Sequence, residues 1–320
     1  MIELNKRNKR ILKALDLDAR QSNMHIAKKL RVNKNVVNYN IKKLEELGLI
    51  KGYNAIVDAS KLGFFFFRVY IDFYERDLNI DKELIEHLIK LPEAGEVARV
   101  VGSWDVVAGF YVRDVRAFRR LWHKVLIKFR KHIKKYNIDL VTDEVMFRRA
   151  YLLDEKKDLS EHKWVTGSGE ISKVDELDLE ILKMLVEDAR IPIKDIALKT
   201  KMSSMAIIYR VKQLLKRGII GGYRVNIDFD EIDHEYFRVN IELDDVSISE
   251  SLMSFCQMHP NIVKVIKSVS EFDFEFDMEI LDFDQFLAII DEIKAKFPGV
   301  VRDYNYFKIV EYYKRQYLPV

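Results

Sequence analysis

The sequence predicts an α+β fold built from two tandem copies of one unit, and three observations carry that prediction. The chain matches itself when shifted by 170 residues. Within each copy a helical hydrophobic period gives way to a strand-like one. A charged stretch with no usable apolar period separates the copies.

The repeat is read directly. Ile11-Leu12-Lys13 meets Ile181-Leu182-Lys183, Asp18-Ala19-Arg20 meets Asp188-Ala189-Arg190, and Gly52-Tyr53 meets Gly222-Tyr223. Over positions 11–58 there are 18 identities in 48 without a gap. The register holds at Phe67-Arg68-Val69 and Phe237-Arg238-Val239, then shifts by two, so that Pro92, Trp104-Asp105 and Phe118 meet Pro260, Phe272-Asp273 and Phe286.

Each copy begins with helices. Ile11, Leu12 and Leu15, then Ile26 and Leu30, recur at helical spacing. A helix over Ser22 to Leu30 is followed by the break Arg31-Val32-Asn33, and a third helix from Lys34 keeps Val37, Ile41 and Leu44 on one face until Gly48 ends it. Ser203 caps the equivalent helix of copy two, with Ile207, Val211 and Leu214 inward. Residues 49–57 alternate around Gly52 and predict a short β-hairpin. Two short helices, a three-residue turn and a hairpin make a winged helix-turn-helix.

The remainder of each copy reads strand, helix, strand, strand, helix, strand. The spans are 64–75, 81–91, 96–102, 105–112, 114–134 and 138–149, then 235–244, 249–258, 261–269, 272–280, 282–296 and 300–313. That order is the ferredoxin-like βαββαβ pattern. The predicted boundaries are 1–60 (winged helix-turn-helix), 61–152 (βαββαβ domain), 153–173 (linker, with Thr166-Gly167-Ser168-Gly169), 174–230 (second winged helix-turn-helix) and 231–320 (second βαββαβ domain).

Composition narrows the function classes. A hydrophobic share of 48% and a charged share of 33% describe a globular chain. Cys256 is the one cysteine, so no intrachain disulfide forms and a reducing, cytoplasmic setting is expected. The apolar run at Phe64 to Phe67 stops at Arg68, far short of the roughly 20 residues that span a bilayer. The basic N-terminus lacks the apolar segment of a signal peptide. No phosphate-binding loop, dinucleotide glycine motif or metal-spaced Cys/His cluster occurs, so neither a cofactor nor a metal is expected.

The net charge of +3 hides a strong asymmetry. Lys/Arg minus Asp/Glu is 13 − 5 = +8 over residues 1–53, 10 − 1 = +9 over 113–135 and 10 − 20 = −10 over 224–320. The basic N-terminal block suits double-stranded DNA. With Val37, Ile41 and Leu44 inward, Lys34, Asn35, Asn38, Tyr39 and Lys42 project outward, and Asn and Lys are residue types that read base edges. Lys51 and Asn54 fall on the predicted wing, near the phosphate backbone. The bland alternative is a merely solvated face or a protein-binding one. Copy two offers Ser204, Tyr209 and Lys212, with Arg210 near the edge and Met205 and Ile208 among them; residues 171–223 net only +3, so DNA contact and packing stay equal readings there. The basic face of helix 114–134 fits either a second polyanion contact or an acidic protein.

Ile26-Ala27 through Leu30, Val37 to Ile50, Gly52-Tyr53, Asp58 and Lys61-Leu62-Gly63 resemble the N-terminal signature of the Lrp/AsnC transcription regulators. The resemblance covers almost the whole chain, twice. The family often has a basic residue just before the Ile41 position; it is Asn40 in copy one and Arg210 in copy two. The resemblance implies a sequence-specific, DNA-binding regulator that forms homo-oligomers through its βαββαβ domains. It also implies a small-molecule effector, commonly an amino acid, near the turn after the second strand. That turn is Gly102-Ser103-Trp104-Asp105, where glycine lets backbone N–H groups approach a carboxylate and Asp105 meets an ammonium group. A plain hairpin turn capped by Asp105 is the competing reading. In copy two the stretch is Ser270-Glu271-Phe272-Asp273, without the glycine.

Copy two also alternates Glu271, Asp273, Glu275, Asp277 and Glu279 with Phe272, Phe274, Phe276 and Met278. Five carboxylates on one strand face repel one another and need compensation. Arg238, Arg302 and Lys308 are expected to supply it; a divalent cation or the basic residues of another chain are the alternatives. The rival from another class is a siroheme decarboxylase, whose subunits resemble Lrp/AsnC proteins and are sometimes fused in tandem. That family has a His/Tyr/Arg-rich stretch around the second strand, whereas Val97 to Asp105 and Val263 to Asp273 hold no histidine or tyrosine. A further alternative is a partner of the basal transcription machinery that does not bind DNA.

Overall fold

The reading units come first in each copy. In the computed structural model, which describes residues 4–74, 78–152, 163–167 and 169–319, α1 (Lys6–Leu17), α2 (Asn23–Leu30), α3 (Lys34–Glu46) and β1 (Ile50–Val57) open copy one. Side-chain caps set the helix starts: Asn5 accepts from Asn8 N, Ser22 from His25 N and Asn33 from Asn35 N. Between α2 and α3 Arg31 takes a left-handed turn at φ 56°, and Lys201 repeats it at φ 56° in copy two. Two non-glycine residues hold this conformation, which is strained by roughly 1–2 kcal/mol, because the turn that angles the two helices requires it.

A ferredoxin-like unit follows, as expected: β2 (Phe65–Phe73), α4 (Leu78–Ile89), β3 (Ala94–Gly102), β4 (Val106–Val112), α5 (Val115–Phe129) and β5 (Ile133–Phe147). The basic helix ends at Phe129, five residues short of the predicted 134, because Ile133 is buried as the first residue of the next strand. The predicted linker contains a strand, β6 (Lys163–Thr166), which pairs with β5 and buries Trp164; positions 153–162 of that linker lie outside the described residues. Copy two repeats the order as α6 (Glu176–Glu187), α7 (Ile193–Thr200), α8 (Ser204–Lys216), β7 (Ile220–Ile227), β8 (Glu235–Leu243), α9 (Ser249–Met258), β9 (Ile262–Val269), β10 (Phe274–Ile280), α10 (Phe283–Lys296) and β11 (Val301–Arg315).

No wing hairpin occurs among the described residues, which corrects the reading of residues 49–57. Those residues form the single strand β1, which pairs antiparallel with β7 of the other copy (Tyr53 with Val225, Ala55 with Tyr223). Gly52, at φ 155°, sits at a register shift rather than at a turn. The exchange is reciprocal: Ala19 N donates to Tyr223 O and Ala189 N to Tyr53 O. Both reading units therefore share one hydrophobic core, in which Ile11, Leu12, Leu15, Ile181, Leu182 and Leu185 are fully buried.

The two βαββαβ units also join within the chain. Their own strand orders are β3-β4-β2-β5 and β9-β10-β8-β11. β11 crosses to pair with β3 and β5 crosses to pair with β9, so the eight strands close into an antiparallel barrel. Alternation then divides the strands. Phe67, Val69 and Ile71 of β2 face α4 and α5, while Phe237, Val239 and Ile241 of β8 face α9 and α10. The opposite faces line the barrel interior, where Tyr70, Val100, Val107, Tyr236, Phe307 and Ile309 make an apolar layer.

Charges fill the rest of that interior. Arg68 donates to Glu96 (Nε–Oε2 3.1 Å) and Glu144 (Nη2–Oε1 2.9 Å); its repeat equivalent Arg238 holds Asp277 through both carboxylate oxygens (2.6 and 3.0 Å). Lys264 bridges Glu144 at 3.3 Å and Asp277 at 3.5 Å. Compensation for the acidic strand therefore matches expectation at Arg238 and differs elsewhere. Arg302 pairs with Asp244 and Lys308 with Glu235. Glu275 instead accepts from the Tyr70 hydroxyl of copy one, and Glu279 from Arg149 and the Tyr151 hydroxyl, also of copy one. Asp273 caps the backbone N–H of Leu243 at 2.8 Å.

One interior acid runs against the fold. Asp139 is fully buried, takes a hydrogen bond from Asn137 at Oδ1 and leaves Oδ2 without a partner. Burial first, then the Glu275 carboxylate, raise its carboxyl from 3.8 to about 7. Between those values the native state holds a proton that the unfolded chain has lost, so this group's effect on stability worsens as pH rises through the window. Asp139→Asn should thus raise the melting temperature by several degrees near pH 8 and leave it nearly unchanged near pH 4. An equal gain at both pH values would show that charge is not the cause.

Candidate nucleic-acid interface

α3 is held by its buried face, with Val37, Ile41 and Leu44 inside as periodicity requires. Lys34, Asn35, Asn38, Tyr39 and Lys42 are all exposed, Tyr39 at 67%. Asn38 accepts from Asn23 Nδ2 at 2.7 Å, and Asn23 accepts from Arg190 of copy two at 2.5 Å. This relay steers the Asn38 amide from the other reading unit, and its two N–H donors remain for an outside acceptor. Lys42 lies one turn from Glu46 at 3.5 Å, an exposed pair that an outside anion displaces at little cost. Asn40 is buried and turns back to Val36 O, so it does not stand in for the family's basic residue.

The remaining positions divide. Ser204, Tyr209 and Lys212 of α8 are exposed beside Met205, which is 74% exposed. Arg210 is turned to Asp175 and Asp178, at 2.5 and 3.1 Å, and binds α8 to the start of α6. Lys51 pairs with Asp228 at 2.9 Å, and Asn54 donates to Val186 O at 2.9 Å. Without a wing, both side chains join one copy to the other. Just before α5, Arg113 bonds Leu62 O; on the helix, Lys128 pairs with Glu83, while Arg116, Arg119, Arg120 and Lys124 are exposed.

Gly102, Ser103 and Asp105 lie on the turn between β3 and β4. A Cβ at Gly102 would come within 2.6 Å of Tyr306 O and 2.9 Å of Phe307 Cα, so glycine lets β11 pass at that point. Ser103 donates to Tyr306 O from both N and Oγ. Asp105 accepts from Phe73 N at 3.0 Å, as Asp273 does from Leu243 N in copy two. No group of three or more acids, histidines or cysteines arranged for a metal occurs among the described residues. Nor, among them, is any helix long and apolar enough to cross a membrane.

A family model for winged helix-turn-helix DNA-binding domains matches residues 4–51 and 174–220. LrpB of Bacillus subtilis is 27% identical, covering 42% of this chain and 94% of its own. An HTH-type transcriptional regulator of Pyrococcus furiosus is 30% identical over 105 residues, which cover 32% of this chain and 70% of that one. The chain belongs to the Lrp/AsnC family of transcription regulators. Across the whole length, this Lrp/AsnC chain is similar in fold to the siroheme decarboxylase NirDL, with a TM-score of 0.63, 13% identity and coverage of 97% and 93% of the two chains. Identity that low speaks to the fold.

Sequence reasoning did not find Asp16, Arg149, Arg224 and Lys264, which knit the copies together inside. Arg149 follows Arg148 and carries no local signal, whereas Asp16, Arg224 and Lys264 each stand between two apolar residues. Arg68 and Arg238 gave the same signal, an arginine between two apolar residues at equivalent places in both copies.

Proposed function

We propose that this Lrp/AsnC chain is a sequence-specific, cytoplasmic DNA-binding regulator that presents two unlike recognition helices, α3 and α8, as one unit. The observation that carries the reading is the exposed Lys34, Asn35, Asn38, Tyr39 and Lys42 face on a helix rigidly paired to its counterpart through β1 and β7. Asn38 reads adenine and Lys42 reads guanine or phosphate. The α8 face, with Ser204, Tyr209 and Lys212 beside an exposed methionine, meets a half-site of different sequence. Further copies assemble through the outer helices, the basic face of α5 against the acidic βαββαβ unit. Modulation by an amino acid at Gly102, Ser103 and Asp105 belongs to the same reading. Its support is the exposed glycine turn, while Ser103 and Asp105 already serve Tyr306 and Phe73.

Fluorescence anisotropy on random and selected duplexes across a salt series tests this. The wild type should bind with a steep negative log–log salt slope. Asn38→Ala/Lys42→Ala should lose about 2–4 kcal/mol on the selected site and far less on random DNA. Absence of binding at low salt would sink the reading. A siroheme decarboxylase-like activity is the second reading, favoured by the fold shared with NirDL across both halves. Turnover of siroheme by the purified chain would establish it.

A further inference from the structure

Where the reading lobe meets the barrel lie two cavities related by the internal repeat. One, of about 350 Å³, is walled by Val57, Phe64, Phe66 and Val141 and contains the carboxylates Asp58 and Glu144, with no Lys, Arg or His among the described residues of its lining. The Glu144 charge is met by Arg68 and Lys264, behind the wall. The other, of about 570 Å³, keeps an acid at the equivalent position, Asp228, but changes the rest. His234 stands where Phe64 does, Tyr236 where Phe66 does and Tyr312 where Glu144 does. Arg315 takes the position of Phe147.

Those replacements give the larger cavity cationic and aromatic walls. The Arg315 guanidinium rests over the rings of Tyr312 (4.7 Å) and Tyr236 (5.9 Å); its cross-strand neighbour Glu96 is held by Arg68, and no ion pair of Arg315 occurs among the described residues. A half-buried arginine held by ring faces retains donors for a bidentate acceptor. The Tyr312 hydroxyl is buried and has no hydrogen-bond partner, which costs about 1–3 kcal/mol unless something completes it. His234 directs Nδ1 at Ile232 O (2.7 Å), and its ring stacks on Tyr151 (4.7 Å), leaving Nε2 for another contact. Lys51 enters the lining already paired to Asp228, so that pair is neutral, and Glu311 is exposed. Phe229 supplies a further apolar wall.

We propose that this cavity binds a small aromatic carboxylate, its carboxylate on Arg315 and the Tyr312 hydroxyl and its ring among Phe229, Tyr236 and Tyr312, with one site per chain. The volume lies in the range usual for small-molecule sites. Among the described residues that line it, the copy-one cavity has two carboxylates and no Lys, Arg or His, and Arg113 behind Phe64 is bound to Leu62 O, so the duplication leaves a single site. The ligand sits between Lys51 on β1 and Arg315 on β11, so it touches both the reading lobe and the barrel.

Titration calorimetry on the full chain without DNA tests the proposal, with indole-3-acetate as probe and indole-3-acetamide as its uncharged control. The acid should bind once per chain, at least about tenfold more tightly than the amide. Arg315→Gln should abolish that preference, and Tyr312→Phe should weaken the acid by a smaller factor. Circular-dichroism melting of each variant shows whether it folds. No heat from the acid, equal affinity for acid and amide, two sites per chain, or a preference retained by folded Arg315→Gln would each overturn the proposal. Should Arg315→Gln fail to fold, the wild-type acid-to-amide ratio and Tyr312→Phe decide. DNA takes no part, so a failure here is separate from any failure of the regulator reading.

Discussion

Arg238→Ala lowers the melting temperature by about 10 °C at neutral pH. Arg238 is fully buried and holds Asp277, itself fully buried, through two charge-assisted hydrogen bonds of 2.6 and 3.0 Å. Burial alone raises the Asp277 carboxyl; Arg238, Lys264 and the Tyr236 hydroxyl outweigh it and hold the group well below the usual carboxylate range. Removing the arginine leaves that burial largely uncompensated, at a cost of about 3–5 kcal/mol. At roughly 2–4 °C per kcal/mol for a chain of this size, the shift is large enough to read in any melting experiment. The sign with pH follows. In the wild type a depressed carboxyl stabilises the fold above its ordinary value of 3.8, and that contribution fades as pH falls below it. In the variant the orphaned acid takes up a proton instead. The deficit is therefore widest near pH 7 and narrows toward pH 4; a gap that stays constant with pH would assign the loss to packing. Arg238→Met/Asp277→Leu should recover much of the stability, since a buried pair exchanged for apolar groups is often neutral.

Asp16→Ala is expected to cost as much by a different route. The Asp16 carboxylate, 1% exposed, accepts from Arg149 N (2.8 Å), Arg149 Nη1 (2.6 Å) and Arg224 Nε (2.7 Å). Arg149 continues to Glu279 at 2.9 Å on β10. One carboxylate on α1 thus ties together the end of β5, β7 and the acidic strand, and with them the reading lobe and the barrel. Burial works to raise its carboxyl, while Arg224 and Arg149 lower it further than burial raises it. Its loss leaves Arg149 with Glu279 alone and the buried Arg224 guanidinium with no carboxylate, at about 3–5 kcal/mol. Asp16→Asn, which keeps the shape and an acceptor, should lose less. A melting temperature for Asp16→Ala within about a degree of wild type would remove this residue from the structural account.

Much of the fold was legible because repeat and period are local properties. Ile11, Leu12 and Leu15 announce a helix without reference to anything distant, and the alternation at Phe67-Arg68-Val69 announces a strand. Partners are not local. Residues 49–57 alternate as a strand should, yet nothing within them says whether the complementary backbone lies two residues on or in the other copy. The same limit hid the crossing of β5 and β11, and with it whether the copies pair inside the chain. Trp164 could have signalled that the linker holds a strand, but one tryptophan among charges has no period. On the candidate interface, outward positions of α3 followed from its inward ones, whereas the diversion of Asn54 and Arg210 depended on contacts with Val186 and Asp175. The aromatic and cationic cavity joins Lys51 to Arg315 across most of the sequence, and no spacing rule reaches that far.

Closing the barrel with strands from one chain changes how the two halves can vary over generations. In a dimer of identical subunits every substitution arrives twice, so a charge placed at the shared seam must face its own image. Here Glu144 and Tyr312 occupy equivalent places on β5 and β11, as do Phe147 and Arg315, and each is changed without obliging its counterpart to follow. Dilution cannot part the halves either, because their encounter is unimolecular and independent of protein concentration. A single covalent connection thus leaves each half free to drift on its own while the seam between them stays shut.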